Sequence, residues 1–235
     1  MQEDAISVIY EDDWLIAFDK PSGLPTQGTR DPRRPDLYTM AQKELKQRQP
    51  NPIHYLGLHH RLDVGTSGVV VMTKKKEINK DFQDLFREKK IQKTYLAHVF
   101  CHSKRKVGDQ WSIENHLGYH KNSTAKKSFY TAVKSGGDYA KTEFKILSAP
   151  SEEVYLVQAQ PLTGRTHQIR VHLFEDGFPL LGDRLYFDPT NEKQKRINHR
   201  VKRLMLHAWK IEFVHPKTQK MTEIISQQSL PSIGH

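Results

Sequence analysis

The chain has 235 residues, with 37 Lys and Arg against 27 Asp and Glu, a formal charge of +10 and a sparse 36% of apolar residues. That length suits one domain with a sizeable core, and the lack of any run of about eighteen apolar residues excludes a membrane-spanning helix. The basic balance favours polyanionic partners, because phosphate contacts supply most sequence-independent affinity for nucleic acid. The opening residues, MQEDAISVIYEDD, are acidic and lack the basic and apolar stretches of a secretion leader. The single cysteine, Cys101, cannot form an internal disulfide, so a cytoplasmic chain is expected, with Cys101 as a small buried apolar residue.

In chain order, SVIYEDDWLIAFD (Ser7–Asp19) gives two apolar runs around an acidic turn, the pattern of a hairpin. KPSGLPTQGT follows, in which Lys20, Pro21, Gly23, Pro25 and Gly28 fix a rigid, irregular loop that reads as a connector. Arg30–Asp36 is basic and broken by proline, and Thr39–Gln47 carries Met40, Ala41 and Leu45 at helical spacing. Leu58–Thr73, LHHRLDVGTSGVVVMT, crowds His60, Arg61, Asp63, Thr66 and Ser67 in front of a β-branched run, which reads as a buried strand holding a polar loop.

Ile78, Phe82, Leu85 and Phe86 mark a helix with one buried face, and Lys93–Phe100 alternates like a strand. Trp111–Leu117 reads as a further strand, and KNSTAKKS (Lys121–Ser128) as a basic loop or hairpin. Lys141–Leu147 and Val154–Gln160 form a strand pair around SAPSEE. In LTGRTHQIRVHL a short helix is expected, capped by Thr166, with Ile169, Val171 and Leu173 apolar. Pro189–Val201 is basic and partly helical, Arg203–Val214 is one more strand, and QQSLPSIGH is a fraying tail. Strands outnumber helices and fall mostly in adjacent pairs. The class is therefore α+β, a mixed, largely antiparallel sheet with flanking helices, in a single domain 1–235 with its core at about 7–216 and an extension at 217–235.

Several chemistries fit this inventory poorly. His59 and His60 are adjacent, and His167 and His172 are five apart, so neither pair has the i, i+4 spacing that puts two metal ligands on one helical face; no metal is expected. Cys101 has no organised base beside it, and no phosphate-cradling GxxxxGK(S/T) loop is present. Asp63 stands without a second carboxylate nearby, which disfavours glycosidase chemistry. An Asp kept ionised by Arg and by hydrogen-bond donors is suited to act as nucleophile or base, or else only shapes its loop.

HRLDVGTSG, with KPSGLPTQGT before it and LTGRTHQIRVHL and RLMLHAW after it, closely resembles the RluA-type pseudouridine synthases, in the family's order and over roughly Asp19–Pro216. The resemblance implies a mixed-sheet fold with a central RNA-binding cleft, no cofactor, and isomerisation of uridine in structured tRNA or rRNA after the target base is flipped out. It also implies catalytic roles for Asp63, for Tyr95, which packs on the base and helps remove the proton from carbon five, and for Arg170, which pairs with the aspartate. Arg61 matches the residue that fills the space left by the extruded nucleotide, and Ile169 and Leu206 match apolar groups of the base pocket. His60, Thr66, Arg165 and His167, from the same motifs, complete the expected substrate contacts.

The small RNA-binding domain that several relatives carry at the N-terminus is not expected here, because the expected strand Ser7–Tyr10 begins too early to leave room for it, and RNA selection is expected to fall to Arg30–Arg34, Lys121–Lys127 and Lys193–Arg203. Val64 and Gly65 stand where relatives often have charged or polar residues. A monomer with RNA as partner, no membrane and no obligatory protein partner is expected. The alternative is a non-catalytic RNA-binding or RNA-folding factor with the same cleft.

Overall fold

The computed structural model describes residues 6–48, 55–101, 105–122 and 127–231, and contacts group the chain into two compact units. Residues 1–93 with 207–229 form the first, and 94–206 with 230–235 the second. The described elements are β1 (Ser7–Glu11), β2 (Leu15–Lys20), α1 (Leu37–Arg48), β3 (Gly57–Leu58), β4 (Ser67–Thr73), α2 (Asn79–Arg87), β5 (Gln92–Phe100), β6 (Gln110–Asn122), β7 (Lys127–Ala132), β8 (Asp138–Ser151), β9 (Val154–Pro161), α3 (Gln168–Glu175), α4 (Glu192–Arg200), β10 (Leu206–Val214) and β11 (Met221–Ile225).

In the first unit, the acidic turn after β1 closes the expected hairpin. Asp12 Oδ1 accepts the Trp14 and Leu15 N–H groups at 2.7 Å each, and β1 pairs antiparallel with β2. Strand β2 runs antiparallel to β4 from Leu15↔Thr73 to Lys20↔Gly68. Every residue of β2 and β4 is buried, which is why both read as unbroken apolar runs rather than alternating ones. On one face Val69 and Val71 meet Leu15, Ala17, Ile78 and Phe82, and Phe82 sets its ring edge-on to Phe86 and Phe213. Asp36 starts α1 by accepting the Thr39 N–H (3.0 Å) and hydroxyl (2.8 Å), and Leu37, Ala41 and Leu45 bury one stripe of that helix.

Strand β10 joins β4 in parallel at His207↔Ser67 and Ala208↔Gly68. Gly68 is obligatory there: its φ is +115°, and an added Cβ would lie 2.1 Å from the Ala208 carbonyl oxygen.

The expected C-terminal extension includes a strand. Residues Met221–Ile225 pair antiparallel with β10, and the buried carboxylate of Asp19 accepts the Ser226 hydroxyl and the Gln227 and Gln228 N–H groups at 2.8–3.1 Å. Residues 227 and 228 are therefore tied to β2 rather than fraying; residues 232–235 lie outside the described set.

The second unit is an antiparallel array in the order β5-β9-β8-β6-β7. Its core takes Ala97 and Val99 from β5, Phe144 and Ile146 from β8, Val157 and Ala159 from β9, and Ile169 and Leu173 from α3. Cys101 is half-buried and packs against this core. Strand β6 extends beyond the expected Trp111–Leu117, pairing with β8 at one end and β7 at the other. Within KNSTAKKS, Lys121 pairs with Ser128 and Asn122 with Lys127, and 123–126 lie outside the described residues. With β10 parallel to β4 beside antiparallel pairings, and helices alongside, the fold is α+β with a mixed sheet, as the sequence implies.

Candidate active site

Asp63 opens a tight turn in which its carbonyl accepts the Thr66 N–H at 3.0 Å, with Val64 and Gly65 at the corner. The turn is clamped by the loop that the sequence presents as a connector. Thr26 Oγ1 donates to the Leu62 carbonyl (2.9 Å) and accepts the Leu62 N–H (3.1 Å). Ser22 donates to the Gly65 carbonyl at 2.7 Å, and the Gly23 N–H donates to the Val64 carbonyl at 2.8 Å. Lys20, fully buried, spreads its ammonium over the carbonyls of Leu24 (2.7 Å), Pro21 (3.1 Å) and Val64 (3.3 Å). Both sides of Asp63 are thus fixed by backbone contacts, and the half-exposed residue sits on a preorganised loop.

On the far side, Ser67 and His207 share a buried hydrogen bond of 2.8 Å. Thr66 is buried beneath the turn and Arg61 is exposed to solvent. His60 has a different occupation from the expected substrate contact: its Nε2 accepts the Val71 N–H at 2.9 Å, and its ring lies 5.1 Å from that of Phe86. Strand β3 covers Met72 and Thr73 of β4, and the imidazole satisfies the next N–H in line. Burial, then the Lys93 charge and then His59 push the His60 pKa down to about 3, so it stays neutral with its proton on Nδ1.

In the second unit, the GRTHQIRVH motif builds α3. The expected cap, Thr166, does not serve: His167 is the N-cap residue, with φ +57° and no side-chain cap bond. The Gln168 carboxamide reaches back instead, accepting the Arg165 N–H (3.0 Å) and the Thr163 hydroxyl (2.6 Å). Its amide group donates to Thr142 Oγ1 and the Lys141 carbonyl, both at 2.9 Å. One turn on, buried His172 bonds Thr142 Oγ1 (2.9 Å) and Asn115 Oδ1 (3.0 Å), and burial lowers its pKa to about 4. Gln168 and His172 thus bolt α3 to β8 and β6, which accounts for two motif positions as structural.

The remaining motif positions are set by that bolt. Arg170 forks onto Asp183, with Nε at 2.7 Å from Oδ2 and one terminal nitrogen at 3.0 Å from Oδ1, and its guanidinium lies 5.0 Å from the centre of the Tyr186 ring. Asp183 is buried, and its Oδ1 also accepts the Leu185 and Tyr186 N–H groups. His167 Nδ1 bonds the Tyr186 hydroxyl at 3.0 Å, and exposed Arg165 donates to the Tyr139 carbonyl. Ile169 and Leu206 are buried in the apolar core, and half-buried Tyr95 on β5, opposite Ala159, packs against it.

Sequence reasoning missed Asp183 and the clamping roles of Lys20, Ser22 and Thr26. Asp183 lies thirteen residues from Arg170 with no spacing rule to link them. Among the described residues, no group of three or more His, Cys, Asp or Glu is arranged to hold a metal ion.

Residues 14–175 match the family model described as RNA pseudouridylate synthase. The chain is 36% identical over 219 residues to the ribosomal large subunit pseudouridine synthase C of Vibrio cholerae, covering 92% of this chain and 64% of that protein's length. It is 30% identical over 223 residues to the dual-specificity RNA pseudouridine synthase RluA of Escherichia coli K12, covering 92% and 90%. Among solved structures, the human RNA pseudouridylate synthase domain containing 1 superposes with a TM-score of 0.73 at 23% identity, over 95% of this chain and 83% of that one, a likeness of fold.

Proposed function

The chain belongs to the RNA pseudouridylate synthase family, and on that premise we propose that it isomerises uridines in structured RNA to pseudouridine. The observation that carries this reading is the rigidly clamped turn at half-exposed Asp63, which lies within the matched residues. In the reaction the bond from uracil N1 to the ribose breaks, the base turns, a bond forms from carbon five to the ribose, the carbon-five proton leaves to solvent and N1 takes up a proton. Reactants and product have the same composition, so no oxidant and no energy source are consumed. Asp63 is the reacting group, whether it adds to the sugar, adds to the ring or takes a ribose proton. Tyr95 and Arg170 act as the tyrosine and arginine of the family motifs.

Unstacking the target costs roughly a few kcal/mol, and exposed Arg61, planar and always charged, is suited to fill the gap while meeting phosphate. The names of the relatives, one for the large ribosomal subunit and one for dual specificity, support tRNA or rRNA as the substrate class. We read the protein as a monomer working in the cytoplasm. Among the described residues, no helix is long and apolar enough to cross a membrane.

The test is release of tritium from RNA labelled at uracil carbon five. Wild-type protein releases it, and Asp63→Asn releases none while binding RNA within a few-fold of wild type. An Asn variant that turns over, or a wild type that binds RNA without release, rejects the reading.

A further inference from the structure

Helix α4 lies outside every family motif and has an unusual composition. Only Gln194 and Ile197 are buried, yet the helix is held firmly. Asn191 caps it by accepting the Gln194 N–H, the Gln194 carboxamide accepts the Asp188 N–H (3.1 Å), and Asn198 accepts the Gly182 N–H (3.0 Å). The outward side is cationic: Lys193, Lys195, Arg196 and Arg200 are exposed, as is Lys202 just beyond. Glu153 lies 3.0 Å from Lys193 and 3.8 Å from Arg196, and Glu192 takes Lys195 at 3.1 Å. Arg200 and Lys202 have no acidic partner among the described residues.

Helix electrostatics do not account for this pattern. A basic residue in the last turn suits the macrodipole, which explains Arg200 but opposes Lys193 near the start. Glu153 offsets Lys193 against Arg196, whereas Arg196 and Arg200 are like charges at i, i+4, a mildly destabilising pair, and Arg200 has no acidic partner among the described residues. An adjacent polyanion offsets that repulsion. A helix that lies on a membrane would show large apolar side chains beside its charges, and the exposed face of α4 has none.

We propose that α4 and its exit form a docking surface for the phosphate backbone of the RNA substrate, with Arg200 and Lys202 as the contacts that gain most on binding. The proposal rests on the reading that the protein acts on RNA. It assigns these residues to binding rather than to chemistry.

The experiment compares wild type, Arg200→Gln/Lys202→Gln, and a control, Lys46→Gln/Lys220→Gln, which removes the same charge from exposed positions of the first unit. Binding of a fluorescein-labelled RNA hairpin is measured between 50 and 200 mM salt, and tritium release from carbon-five-labelled total RNA is measured alongside. Two lost phosphate contacts flatten the salt dependence, so affinity falls roughly tenfold less over that range than for wild type. KM rises, kcat holds, and the control keeps the wild-type slope. A docking variant with wild-type slope and KM overturns the proposal, and so does a control that loses as much, because net charge would then be the cause. Absence of tritium release from wild type would instead overturn the proposed function.

Discussion

Replacing Asp183 by asparagine tests whether the Arg170 fork is held as described. The carboxamide oxygen of the Asp183→Asn variant would stay at the Oδ1 position, where the Leu185 and Tyr186 N–H groups need an acceptor. The new NH2 group would then face Arg170 Nε, now 2.7 Å from Oδ2, setting donor against donor. The Asp183 side chain is 0% exposed and that of Arg170 11%, so solvent replaces little of the lost contact. Breaking one side of a buried pair costs roughly 3–5 kcal/mol; the lower end applies because Arg170 retains an edge to water and the Tyr186 ring beside it. For a chain of this length about 3 kcal/mol corresponds to a fall in Tm of roughly 6–12 °C. Thermal unfolding of Asp183→Asn, Arg170→Met and the double variant measures it, and the double variant should recover part of the Asp183→Asn loss. A shift below about 2 °C, or strictly additive losses, would refute the reasoning.

Lys20→Met removes the ammonium from three carbonyls around the Asp63 turn; turnover is expected to drop at least tenfold, and kinetics beside urea unfolding would show whether the clamp or only stability is affected. Gly68→Ala forces a Cβ onto the Ala208 carbonyl at positive φ and should leave little soluble protein, read from expression yield and the Tm of any soluble fraction. His60 and His172 titrate in the fold near 3 and 4, below their ordinary 6.5, so the folded state binds fewer protons than the unfolded one between those values. Their contribution is complete above pH 6.5 and lost as pH falls, by about 2 kcal/mol each at pH 5. Urea midpoints at pH 7.5 and 5 check this, and His172→Gln should remove about half of the difference.

Much of this architecture is legible locally. The run Val69–Met72 announces β4 because both faces are buried, and the spacing of Ile78, Phe82, Leu85 and Phe86 announces α2 because one face is. What escapes is whatever depends on distant partners. Turn formers in Lys20–Thr26 look like a connector until Leu62, Val64 and Gly65 are seen to use their polar groups. Thr166 looks like a cap because it precedes an apolar pattern, but the Gln168 side chain already serves the Arg165 N–H. Strand β11 is too short to stand out and exists because β10 offers an edge. Motif order identifies Asp63, Tyr95 and Arg170 as candidates, whereas Asp183 emerges only from geometry.

The knot at Asp19 has a consequence for how the polypeptide matures. Its carboxylate waits for Ser226, 207 positions later, and Ser67 waits for His207, 140 positions later. During synthesis β1, β2 and β4 can therefore pair with one another but wait for β10 and for residues 226–228, while residues 94–206, a continuous segment, can already condense. The Asp63 turn can thus take its clamp from Lys20, Ser22 and Thr26 early, whereas the β10 backing at Ser67 and Gly68 is added only once residues 207 and 208 have been made.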